Sequence, residues 1–118
     1  TIFGFNDYEI KGFPERSLVN IFGMLTGHGH EFGMRSGGVR PARSLYLKAK
    51  TNAIVGHFHK SDKHTEVNNL TGEVHYCYTV GCACDLNPYY MRVNNWNHGF
   101  ATIEEHNNTF KVDNISLF

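Results

Sequence analysis

Two short histidine-bearing segments carry the chemistry of this sequence, Gly27-His28-Gly29-His30 and Gly56-His57-Phe58-His59. Imidazole is a borderline ligand that suits Mn, Fe, Co, Ni and Zn, and paired histidines at fixed spacing hold such ions. In an extended segment, side chains two apart point to the same face, and a preceding glycine lets the backbone turn without a Cβ clash. His57 and His59 therefore read as serving one metal centre together, with His28 from a neighbouring strand as a third ligand. In a two-metal site the ions lie roughly 3.5 to 4 Å apart, so adjacent imidazoles can bind different ions. A lone histidine is more often a surface or hydrogen-bonded residue, but two glycine-flanked clusters at the ends of apolar runs favour a metal.

Those apolar runs are the elements that must position the ligands. Leu18 to Thr26 reads as a strand running into His28, and Ala53 to Gly56 as a strand running into His57. Between them lies a loop, Phe32 to Val39, and then a helix opened by Pro41 and carried by Ala42 to Lys50. Strand, loop, helix, strand is the order of an α/β unit, whose functional loops lie beyond the carboxyl ends of its strands. Downstream, Thr65 to Asn69 and Glu73 to Val80 flank a turn at Leu70-Thr71-Gly72. His98 to Glu105 and Thr109 to Leu117 flank Asn107-Asn108, a second hairpin. Asn87-Pro88 marks a turn before Tyr89-Tyr90-Met91 and Trp96, and Thr1 to Pro14 has no clean period.

A chain of 118 residues that is 41% hydrophobic and 14% aromatic can bury one core, so residues 1–118 read as one domain or part of one. It has neither the roughly 20 apolar residues of a membrane span nor a charged-then-apolar leader, which makes a cytoplasmic site of action the expectation. Its cysteines, Cys77, Cys82 and Cys84, are odd in number and read as buried free thiols in a reducing compartment. A zinc site from these thiols with His75 is the weaker reading, because Cys-x-Cys is not the usual Cys-x2-Cys knuckle. Tyr89, Tyr90 and Trp96 read as core rather than as base-stacking platforms.

The net charge is zero, yet seven basic residues and one acid, Asp62, fall between Arg35 and Lys63. Such a field would attract a phosphate-bearing substrate and favour nucleic acid among such substrates. On charge alone, solvated helix and loop positions are the plainer explanation.

Taken in order, Thr26-Gly27-His28-Gly29-His30-Glu31, the arginine-bearing helix, Gly56-His57-Phe58-His59 and Trp96-Asn97-His98-Gly99-Phe100 resemble the C-terminal motifs of calcineurin-like metallophosphoesterases of phage and bacterial type. The resemblance spans about Phe22 to Ala101. It implies an α/β fold, the C-terminal half of a sandwich of two mixed β-sheets flanked by helices. It also implies metal-dependent phosphoester hydrolysis at a dinuclear centre, on a phosphomonoester or phosphodiester that includes nucleic acid or nucleotides. His28 and His57 would bind one metal and His59 the other, with Mn favoured over Fe, Zn or Ni, and His30 structural. Arg35, Arg40 or Arg43 would clamp phosphate oxygens, since guanidinium matches them bidentately. The family's earlier motifs, Asp-x-His, Gly-Asp-x-x and Gly-Asn-His-Asp or Gly-Asn-His-Glu, which precede the His-Gly motif, are absent ahead of Gly27. The chain therefore reads as a fragment that lacks the first half, as one half of a split enzyme, or as a non-catalytic metal-binding or interaction module. As a half-domain it would expose sheet edges and self-associate.

Overall fold

The computed structural model describes residues 17–34 and 37–117. The unassigned segment Thr1 to Pro14 and Arg35 lie outside them. Five strands form a mixed sheet in the order β1-β2-β3-β5-β4: β1 (Val19–Ile21), β2 (Met24–Gly27), β3 (Ala53–Val55), β4 (Asp62–Val67) and β5 (Val74–Thr79). A 3₁₀ turn at His30–Phe32 and helix α1 (Pro41–Ala49) connect β2 to β3. The chain ends in a hairpin of β6 (His98–His106) and β7 (Thr109–Leu117), closed at Asn107-Asn108. The α/β class is thus the one the sequence implies. Among the described residues no helix is long and apolar enough to cross a membrane.

Strand β3 shows why the sheet is covered on both faces. Its three residues are all buried, as in a central parallel strand packed from both sides. Because side chains alternate, Ala53 and Val55 join Leu45 of α1, Met34 and Cys77 in one core, whereas Ile54 joins Met24 and Tyr78 in a second. The second core is closed by Ala101, Ile103, Phe110 and Val112 of the hairpin. The expected flanking helices are therefore represented, among the described residues, by one helix on one face. The β6–β7 hairpin covers the other, and Asn114 ties it down by donating from Nδ2 to Thr79 O at 3.0 Å and Asp62 O at 3.2 Å.

The segment expected as one strand, Leu18 to Thr26, is instead a tight hairpin. Phe22 (φ 53°) and Gly23 (φ 93°) both take positive φ, the geometry of a two-residue turn that matches strand twist, and Asn20 Oδ1 accepts from Gly23 N at 2.8 Å. Apolar continuity hid this turn, since phenylalanine rarely adopts positive φ. The helix begins at Pro41 as expected, but its amino end is capped from far away. Asp62 Oδ2 accepts from Ala42 N at 3.1 Å.

Candidate metal centre

Three strands, β2, β3 and β5, run parallel and side by side, with Gly27 opposite Val55 and Val55 opposite Thr79. Their carboxyl ends therefore release the chain at one edge of the sheet. The three segments that follow have the same spelling: Gly27-His28-Gly29-His30, Gly56-His57-Phe58-His59 and Gly81-Cys82-Ala83-Cys84. Each offers two metal-binding side chains two residues apart, beyond strand ends where open α/β sheets place their ligands.

The six side chains sort into two groups. Nitrogens of His28, His30 and His57 lie within 4.8 Å of one another, as do ligand atoms of His59, Cys82 and Cys84. In the first group His28 Nε2 and His57 Nδ1 are 3.0 Å apart. That is hydrogen-bond distance, and also the roughly 3.0–3.4 Å that separates two nitrogens each about 2.0–2.1 Å from one ion. The His30 ring packs 4.6 Å from that of His28 and 4.4 Å from that of His57, which places its nitrogens within reach of the same ion.

Close approach of two loops makes this group. Gly29 has φ +133°, and a Cβ built on it would lie 2.6 Å from His57 Cβ, so the β2 loop passes directly over the β3 loop. Glu31 holds the β2 loop in shape by accepting from Gly29 N at 2.8 Å and His28 N at 3.3 Å. Burial pulls the Glu31 carboxyl upward, but the amides of Gly29, Glu31 and His28 together with the charge of His28 bring it below its ordinary value.

His57 and His59 do not share a face. The segment is a turn rather than an extended strand, with Phe58 N donating to Gly56 O and His59 at φ 56°. The His59 ring consequently meets the Trp96 ring at 4.3 Å, and its Nδ1 stands 3.7 Å from Cys84 Sγ. Burial, and secondarily the charge of His28, lower the His59 pKa and favour the neutral, ligating form of its ring.

The cysteines divide. Cys77 is fully buried in the core, where desolvation pushes its thiol up to about 11, as befits an inert small hydrophobe. Cys82 is half-buried and Cys84 exposed, contrary to the expectation that all three are buried, because they lie beyond the end of β5 rather than within it. A hydrogen bond to Cys82 and, next, burial hold the Cys84 thiol above its ordinary value. The signal that could have found this pair is the repeated Gly-ligand-x-ligand spelling.

A cleft of about 500 Å³ adjoins the all-histidine group, lined by His57 and Phe58 together with Asn94, Asn95 and Trp96. Lys60 brings a positive charge to it and anchors by donating from Nζ to Val39 O at 2.7 Å. The arginines are placed differently. Arg40 Nε donates to Asp62 Oδ1 at 3.0 Å and Nη2 to Lys63 O at 2.8 Å, and Arg43 is exposed on α1. Tyr89 and Tyr90, expected in the core, are 86% and 68% exposed. They follow the turn at Pro88 and pack edge to face on each other instead.

Compared with models of known protein families, with curated proteins and with solved structures, the chain matches none. Imidazoles at ion-bridging separation fit a borderline divalent cation, and no carboxylate joins either group among the described residues.

Proposed function

We propose that this chain supplies the histidine half of a dinuclear, metal-dependent phosphoester hydrolase, the C-terminal part of a calcineurin-like sandwich. The observation that carries the reading is the convergence of His28 and His57 to 3.0 Å beyond two parallel strand ends, with His59 turned toward a second donor group. His28 and His57, with His30 beside them, would hold one ion, and His59 the other. Divalent ions at such a centre polarise phosphoryl oxygens and lower the pKa of water toward ~7.

The chain's own residues prepare the site for this. Glu31 fixes the orientation of the β2 loop through two backbone amides. Lys60 offers its ammonium to a phosphoryl anion in the cleft, while Phe58 and Trp96 wall it with apolar surface. Arg40, already committed to Asp62 and Lys63 O, stabilises the helix start instead. Arg43 on the exposed face of α1 and the basic stretch around it tilt the substrate toward a nucleotide or nucleic acid.

The absence of a carboxylate from both groups favours one other reading, a metal-binding module without turnover. Joining the missing acid motifs upstream and assaying a generic phosphodiester with Mn²⁺ separates the two. Turnover abolished by His57→Ala supports the hydrolase. Mn²⁺ binding without turnover supports the module.

A further inference from the structure

We infer that His59, Cys82 and Cys84 form a thiolate-bearing metal site that takes a borderline-soft divalent cation such as Zn²⁺, one turn away from the all-histidine group. The inference goes beyond the phosphoester reading and shares with it only His59.

An ion about 2.3 Å from a thiolate and about 2.0–2.1 Å from an imidazole nitrogen, at tetrahedral angles, sets sulfur and nitrogen about 3.6 Å apart. Cys84 Sγ and His59 Nδ1 are 3.7 Å apart, and all three donors lie within 4.8 Å of one another. Three protein donors leave a fourth tetrahedral position for water or for an oxygen of an external ligand.

The segment Trp96-Asn97-His98-Gly99 is organised around these three residues. Asn97 N donates to His59 O at 2.8 Å and Cys82 N donates to Asn97 O at 2.9 Å, so the backbone of one residue spans the two ligand loops. His98 Nε2 donates to Cys84 O at 2.7 Å, and Trp96 packs on the His59 ring. The Asn97 side chain accepts from Ser61 N at 2.7 Å and donates to Ser61 Oγ at 2.9 Å, fixing the exit of the His59 turn. Gly81 is required where it stands, since a Cβ there would lie 2.6 Å from Gly99 N and 2.7 Å from Asn97 O. This bracing orients the ligands as outer hydrogen bonds do at metal sites.

Two thiolates and an imidazole discriminate against Mg²⁺ and Mn²⁺ and favour Zn²⁺, whereas the neighbouring group offers nitrogen alone. The two positions would then differ in preferred metal.

The test is an anaerobic Co²⁺ titration of the reduced, full chain, read by the thiolate-to-cobalt charge-transfer absorption. The expected result is a band that saturates at one ion per chain, is lost in Cys84→Ser and Cys82→Ser, weakens at least tenfold in affinity in His59→Ala, and persists in His57→Ala. No band in the wild type, or a band unchanged in both serine variants, overturns the site. So does a band lost equally in His57→Ala, which would mean one shared centre. A measurement on the wild type alone guards against misfolded variants: Zn²⁺ should slow alkylation of Cys84 at least tenfold, and an unchanged rate counts against the site. Neither readout depends on hydrolysis, so failure here and failure of the phosphoester reading are told apart.

Discussion

Replacing Gly29 with alanine should damage the all-histidine group selectively. The backbone there has φ 133° and ψ −27°, outside the regions open to residues with a side chain. The strain alone costs about 1–3 kcal/mol. The new Cβ would lie 2.6 Å from His57 Cβ. Carbons in contact settle at about 3.5–4.0 Å, so one loop must retreat by about 1 Å, and forced overpacking of this kind costs about 1–3 kcal/mol. Neither carbon can rotate away, because both are fixed directly to backbone. Together the two effects predict a loss of about 2–6 kcal/mol. They also open the 3.0 Å gap between His28 and His57. Urea unfolding gives the stability change, and Mn²⁺ titration under native conditions gives the affinity, with the thiolate-to-cobalt band as an internal control that should survive. A variant within about 0.5 kcal/mol of wild type that binds Mn²⁺ equally well would refute the reasoning, since ordinary surface substitutions fall in that range.

Other expected outcomes follow from the same structure. Leu45→Ala empties a fully buried position between α1 and the sheet and should cost about 2–5 kcal/mol in urea unfolding. Asp62→Ala removes the remote cap on Ala42 N and should cost about 0.5–2 kcal/mol, with α1 losing amide protection first in hydrogen exchange. Glu31 has a folded pKa below its unfolded one, so its contribution is complete above the unfolded value and fades as pH falls through the folded one. Urea midpoints across that acid range should therefore fall more steeply for wild type than for Glu31→Gln, and parallel curves would contradict the assignment. Arg40→Ala should lower stability while leaving hydrolysis by a completed enzyme unchanged, because the guanidinium serves Asp62 and Lys63 O; a loss of turnover at equal folded fraction would return Arg40 to the substrate.

Periodicity made the frame legible. Pro41 announced α1, the apolar triplet Ala53-Ile54-Val55 announced a central strand, and Asn107-Asn108 announced the last hairpin. What stayed hidden depended on contacts distant in sequence or on unusual dihedrals. The turn at Phe22-Gly23 rests on a positive φ at phenylalanine, and the helix cap arrives from Asp62, 20 residues beyond Ala42. At the site, His28 and His57 were readable because each follows an apolar strand. The partition of His57 from His59, which the family resemblance implies, is not readable from their spacing, because it is set by a left-handed turn at His59. Cys82 and Cys84 lack a zinc-knuckle spacing. Their significance appears only when β5 lies parallel to β3 and brings its end beside the histidines.

The central claim, a metal centre built beyond the parallel strand ends, is tested most directly by anomalous X-ray diffraction from crystals grown with Mn²⁺. The account requires a peak about 2.0–2.3 Å from both His28 Nε2 and His57 Nδ1. Ordered imidazoles in hydrogen-bond contact with no anomalous density between them would contradict it.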